Sequence, residues 1–193
     1  MKKDDKYRCG WVNLENKLYI DYHDMEWGVP VHDDRELFEM LILEGAQAGL
    51  SWETVLKKRE NYKKAFDNFD PQKAAQYDKK KEKELLENEG IIRNKLKISS
   101  TMQNAKVFLE IQKELGSFDA YIWAFVDGVT IQNRYEHFSE APVKTEVSEK
   151  ISKDLKKRGM NFVGPTIIYA FMQAVGMVND HEVSCFRFQE VKI

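Results

Sequence analysis

A chain of 193 residues, 42% hydrophobic and 32% charged, is long enough to bury a substantial core as one unit or two small lobes. No apolar run approaches the roughly 20 residues of a membrane span, and the opening Met1-Lys2-Lys3-Asp4-Asp5-Lys6 leads into no apolar stretch of signal-peptide kind, so a cytoplasmic monomer with no membrane contact is the expectation. A formal net charge of -2 excludes a protein that coats nucleic acid by bulk charge, though it allows a local basic face.

Residues 1–32 carry no long hydrophobic period, yet they hold Cys9, His23 and a crowd of aromatic side chains, Trp11, Tyr19, Tyr22 and Trp27. This segment is expected to gain order by packing on helices and through a ligand or metal. From Asp33 the pattern turns helical: Leu37, Phe38, Met40, Leu41 and Ile42 form a broad apolar face, with Asp33 or Asp34 as N-cap and Glu44 at the far end. After a glycine-bearing bend, Ser51 caps a second helix, read to about Phe69. Asp70-Pro71 opens a short helix through Ala75, and Asp78 caps another through Leu85 and Leu86.

A long helix follows from about Asn94 to Leu115, with Ile98, Met102, Ala105 and Leu109 at helical spacing. Phe118 to Val126 reads as a buried helix. Residues 127–143 are irregular, with Thr130-Ile131-Gln132 a brief strand or plain loop. A helix from Glu146 to about Arg158, a tight turn from Gly159 to Thr166 and an apolar helix to about Val175 precede a short tail carrying His181 and Cys185. The fold class is mostly α.

Three groupings carry chemistry. Glu44 and Trp52 bracket the first bend, and with the upstream aromatics they suit a pocket for a flat, cationic ligand. Cys9, His23, His181 and Cys185 admit two readings, a tetrahedral zinc set or two core thiols beside unrelated histidines. The Gly159 to Thr166 turn is either an ordinary interhelical connection or a hairpin whose backbone N–H groups meet a phosphate, with Lys153, Lys156, Lys157 and Arg158 nearby. Residues 90–97, with Arg93, Lys95 and Lys97, are a second candidate for backbone contact, of similar weight. His32 and His137 read as surface or packing residues.

Cys9-Gly10-Trp11, the run from Tyr22 to Pro30, the run from Leu43 to Trp52, Phe162-Val163-Gly164 and Asn179-Asp180-His181 with Cys185 together resemble the bacterial 3-methyladenine DNA glycosylase I family, in order along nearly the whole chain. The resemblance implies a helix-hairpin-helix DNA glycosylase fold whose N- and C-terminal segments are joined by a structural zinc at Cys9, His23, His181 and Cys185. It implies a base pocket that includes Tyr22, Trp52 and Glu44, the last as the candidate catalytic residue, and a DNA-anchoring hairpin that includes Gly159, Val163, Gly164 and Thr166. The activity implied is excision of N3-methyladenine from alkylated double-stranded DNA, with free 3-methyladenine and an abasic site as products; 3-methylguanine, which shares the cationic ring but not the exocyclic amine at the same edge, is a candidate weak second substrate on chemical grounds. No lysine stands where bifunctional relatives carry a Schiff-base nucleophile, which implies a monofunctional enzyme, and Asp180 is expected to support the adjacent metal ligand. Met160, where similar proteins often carry phenylalanine, and residues 129–143 depart from the pattern, away from the expected pocket. Two other readings are a non-catalytic DNA- or nucleobase-binding protein on the same fold, and a zinc hydrolase. The hydrolase is opposed by four N/S candidates that leave no open coordination position.

Overall fold

The computed structural model describes residues 6–191; the reading of the first five residues as part of no signal peptide lies outside them. Among the described residues the helices are α1 (Lys17–Met25), α2 (Asp34–Gln47), α3 (Trp52–Leu56), α4 (Arg59–Ala65), α5 (Pro71–Ala74), α6 (Lys79–Glu87), α7 (Lys95–Leu115), α8 (Phe118–Trp123), α9 (Glu146–Lys157), α10 (Pro165–Ala174) and α11 (Arg187–Glu190). Two short strands, β1 (Ile131–Gln132) and β2 (Val178–Asn179), pair in parallel. None of these helices is long and apolar enough to cross a membrane.

Most starts are written in the side chains. Asp33 accepts from the N–H groups of Arg35 and Glu36 to open α2, Ser51 caps α3, Asp70 precedes Pro71 in α5, and Asn94 caps α7. Such caps satisfy N–H groups that the helical ladder leaves over. Thr145 and Ser148 form a reciprocal capping box at α9.

The central element is α2. Every residue from Leu37 to Ala46 is buried, so the single apolar face read from sequence is too narrow a description. A helix buried all round needs neighbours on every side; α3, α7, α8 and α10 supply them. Two carboxylates are enclosed with the apolar side chains, Glu39 and Glu44.

Two boundaries and one buried face differ from the sequence reading. The aperiodic first segment contains α1, capped by Asn16. The helix read from Ser51 to Phe69 is broken: Lys58 N–H bonds the Val55 carbonyl in a tightened turn, α4 starts again at Arg59, and Asn68 sits at φ 56° in the left-handed region that asparagine tolerates. The break swings Arg59 between the carboxylates of Glu39 and Glu26. On α7 the core face is Ile98, Thr101, Ala105 and Phe108, while Met102 and Leu109 are only half-buried.

β1 and β2 do more than their length suggests. Pairing Ile131 with Val178 and Gln132 with Asn179 lays the irregular 127–143 segment along the C-terminal tail. A further bridge, Tyr135 to Glu182, continues the alignment.

Candidate functional site

Tyr22 and His23 are consecutive on α1 and both buried. Neighbours on a helix diverge by about 100°, so one turn serves two sites: Tyr22 lines a cavity and His23 enters the cysteine cluster.

The cavity, about 180 Å³, is bordered by Trp11, Tyr19, Tyr22, Trp27, Glu44 and Trp52, the six side chains expected there, and by Gln47, Phe138, Ala170 and Gln173. Its rings pack edge to face around Trp11 and at a tilt between Tyr22 and Trp52. Trp11 meets Tyr19 at 5.3 Å between centroids and Trp27 at 5.0 Å, and Tyr22 meets Trp52 at 5.2 Å. Phe138 overturns the expectation that residues 129–143 stay clear of the pocket. Its ring lies 5.9 Å from that of Trp27, and its N–H donates to buried Glu182, which also accepts from Gly10 N–H and the Tyr7 hydroxyl. Only pairing between strands far apart in sequence brings it here, so local spacing carried no sign of it.

Glu44 lies in the last turn of α2, 4% exposed, and its Oε2 is buried without a hydrogen-bond partner. Burial alone pushes its carboxyl from the usual 4.5 up to about 8. Glu39, five residues earlier on the same helix, is instead held by Arg59 and Lys63. The indole Nε1 atoms of Trp11 and Trp52 are likewise buried and unpartnered. Three of the four such atoms among the described residues thus belong to side chains around one cavity, a concentration of unmet hydrogen-bonding capacity that suits a ligand-binding site better than a structural core. Burial and then the Glu44 charge raise the Tyr22 phenol well above its usual range, so it stays a neutral donor. The arrangement can clasp a flat molecule between rings and meet its edge with both donors and acceptors.

Cys9, His23, His181 and Cys185 are all buried, and their ligand atoms lie within 4.8 Å of one another. Cys9 Sγ is 3.4 Å from His181 Nδ1, and Cys185 Sγ is 3.5 Å from His23 Nε2 and 3.6 Å from His181 Nδ1. Zn–S and Zn–N bond lengths in a tetrahedron give edges of roughly 3.4–3.8 Å. Each imidazole also has its other nitrogen engaged: His23 Nδ1 meets Asp24 Oδ1 at 2.8 Å, and His181 Nε2 lies 3.0 Å from the Trp27 carbonyl. Asp24 is in turn gripped by the Arg8 guanidinium. This is the outer arrangement that fixes tautomer and ring orientation in a metal site. Gly28 is required beside it: at φ +79° a Cβ would lie 2.9 Å from His181 Nε2.

Asp180 does not serve the adjacent histidine. Its Oδ2 accepts from the Tyr169 hydroxyl and from Gln173 Nε2, and its Oδ1 from Asn133 Nδ2. Its support goes to the pocket side of α10.

Between α9 and α10 the turn is anchored from behind. Asn104 brackets Asn161, donating to its carbonyl and accepting from its N–H, and Ser152 donates to the Val163 carbonyl. Gly159 and Thr166 are exposed, Gly164 is half-buried and Val163 is buried. Pro165 has no N–H, and the helical ladder, whose first bond runs from Ile168 N–H to the Gly164 carbonyl, leaves the N–H groups of Thr166 and Ile167 to other acceptors. Lys153, Lys156 and Lys157 are exposed nearby, whereas Arg158 is engaged by Asp154 and Glu114. Lys97 donates to the carbonyls of Ala46 and Ala48, capping the C-terminus of α2, and is to that extent withdrawn from backbone contact. His32 stacks on Trp123 and meets Asp119, and His137 is exposed, as expected of surface residues.

Comparison with known proteins gives a consistent result. The family model described as methyladenine glycosylase matches residues 11–188. DNA-3-methyladenine glycosylase 1 of Escherichia coli (strain K12) is 49% identical over 178 residues, 92% of this chain and 95% of that protein. A crystal structure of 3-methyladenine DNA glycosylase I superposes with a TM-score of 0.91 at 49% identity, covering 93% of this chain and 98% of the other. A tyrosine-to-phenylalanine variant of a 3-methyladenine DNA glycosylase I, solved in complex with 3-methyladenine, is similar at a TM-score of 0.87 and 35% identity, covering 89% of this chain and 92% of the other.

Proposed function

The chain belongs to the methyladenine glycosylase family, and from that premise we propose that it excises N3-methyladenine from alkylated double-stranded DNA as a monofunctional glycosylase, leaving an abasic site. The observation that carries this reading is the unpartnered carboxylate of Glu44 inside an aromatic cavity.

Methylation at N3 gives adenine a delocalised positive charge; cleavage of the glycosidic bond releases it as a neutral base while the sugar becomes oxocarbenium-like, and water then adds at the anomeric carbon and gives up a proton to leave the abasic sugar. The leaving group is therefore already activated, and the protein's task is to extrude, recognise and orient the nucleotide. Tyr22 and Trp52 offer one ring pair, and Trp11, Tyr19 and Trp27 a group of three; aromatic faces favour the cationic lesion over neutral adenine. Arrival of the cation favours the ionised form of Glu44, which accepts a hydrogen bond from the exocyclic amine. The proton leaves Glu44 as the base enters.

The cysteine and histidine residues fit zinc in donor type and spacing. With four protein ligands and no open position, a bound zinc supplies folding energy by tying residues 9 and 23 to residues 181 and 185. The turn between α9 and α10 is read as the DNA anchor, a helix-hairpin-helix. Gly159, Val163, Gly164 and Thr166 shape it, and the N–H groups opening α10 face a phosphate. Nothing lies within 4 Å of where a Cβ on Gly164 would sit, which is room for that phosphate. The protein is read as a single unit acting as a monomer in the cytoplasm.

The test is chromatography of bases released from methylated duplex DNA by the purified protein, with Glu44→Gln beside it. Release of 3-methyladenine that the variant loses or greatly reduces supports the assignment. Folded, zinc-replete protein that releases no base overturns it.

A further inference from the structure

Gln173 borders the cavity from α10, and its orientation is set from behind. Asp180, 1% exposed, accepts at Oδ2 from Gln173 Nε2 at 2.8 Å and from the Tyr169 hydroxyl at 2.7 Å, and at Oδ1 from Asn133 Nδ2 at 2.7 Å. All three neighbours present donors to this carboxylate, so its two oxygens serve here as acceptors. Turning the Gln173 amide over would set its oxygen against Oδ2 in a buried setting, so the amide nitrogen is held toward Asp180. The carbonyl oxygen is the end left for the cavity.

We propose that Gln173 is a specificity-determining residue of the base pocket, a fixed hydrogen-bond acceptor that favours a base presenting an amine over one presenting a keto oxygen, with Asp180 as its positioning residue. The inference rests on the reading of the cavity as a base pocket and adds a second acceptor to Glu44. Adenine carries an N6 amine where guanine carries the O6 oxygen. An O6 oxygen brought against Gln173 Oε1 would leave two acceptors facing each other without a proton, and unmet groups in a desolvated site discriminate more sharply than a lost apolar contact does. Tyr169 and Asn133 hold the Asp180 carboxylate in place, so its grip on the amide does not depend on the ligand.

The test uses full-length protein and the free bases 3-methyladenine and 3-methylguanine, with affinity read from quenching of the tryptophans that line the cavity. Wild type is expected to prefer 3-methyladenine. Gln173→Ala should weaken 3-methyladenine binding by about tenfold, one hydrogen bond's worth, while leaving 3-methylguanine binding undiminished or stronger, because the opposed acceptor is gone. Asp180→Asn, which can donate as well as accept, should let the amide reverse and lower the preference by at least about fivefold. Thermal unfolding of each variant is followed in parallel, and Gln173→Ala decides the matter if Asp180→Asn fails to fold. Equal loss for both bases in Gln173→Ala would show a merely structural role and overturn the inference while leaving the base pocket standing. Wild type that binds neither base would overturn the pocket reading and the inference together.

Discussion

Glu44→Gln removes the titrating group at the centre of the cavity while nearly preserving its shape, and the loss should register in how stability depends on pH. Burial raises the carboxyl from 4.5 to about 8 in the folded chain. Between those values the folded protein holds a proton that the unfolded chain has released. The associated stability is fully present below pH 4.5, declines by about 1.4 kcal/mol per pH unit through the window and levels off above pH 8, for a total near 5 kcal/mol. From pH 5.5 to pH 8 the decline from this one group is about 3 kcal/mol. Urea unfolding of wild type and Glu44→Gln at those two pH values isolates it, because every other titrating group is common to both proteins. The stability difference should shift by about 3 kcal/mol in favour of the variant on going to pH 8. If it stays constant, Glu44 ionises normally and the argument from its desolvation fails.

The same group predicts that binding of a permanently cationic, ring-alkylated base below pH 8 expels a proton; calorimetry with such a base at pH 7 in buffers of different ionisation enthalpy should give buffer-dependent heats for wild type and not for Glu44→Gln. Cys185→Ser should lower both zinc content and the thermal midpoint, measured by elemental analysis and unfolding, and unchanged metal content would count against the four-ligand site. Gly164 has φ -62° and ψ 157°, a conformation open to any residue, with free space at its Cβ. Gly164→Asp should therefore keep the fold, since aspartate is a good N-cap, yet weaken duplex binding at least about tenfold through charge repulsion with free-base affinity unaltered. Equal duplex affinity would place the DNA anchor elsewhere.

The parts legible in the sequence were those encoded locally. Asp33, Asp70, Asp78 and Asn94 announce their helices because a cap is a contact across two or three residues. Glu44 and Trp52, on either side of one bend, stood out with Tyr22 and the other upstream aromatics as a pocket for a flat cation, and the motif resemblance added to that reading. Helix α1 was hidden because its residues answer to several environments at once: Leu18 and Met25 are exposed, Tyr22 faces the cavity and His23 the cluster, so no single apolar stripe remains. Phe138 and the Asp180–Gln173 pair depend on β1 meeting β2 and on the C-terminal segment folding back over α10, contacts between residues distant in the chain that no periodicity records. The uniform burial of α2 was also invisible, since glutamates at positions 39 and 44 look solvated until Arg59 on one and an empty hydrogen-bonding atom on the other are seen.

The cysteine–histidine cluster and the cavity share a wall. Trp27 packs against the His181 ring at 4.6 Å and receives its Nε2 at the backbone carbonyl, and Trp11 lies 5.4 Å from the His23 ring. Whatever shifts the imidazoles shifts two faces of the aromatic enclosure. If the cluster holds an ion and the cavity a base, any factor by which the metal tightens base capture must equal the factor by which the base retains the metal. A nominally structural ion would then set substrate affinity, and progressive chelation should weaken base binding while most of the helical signal is still intact.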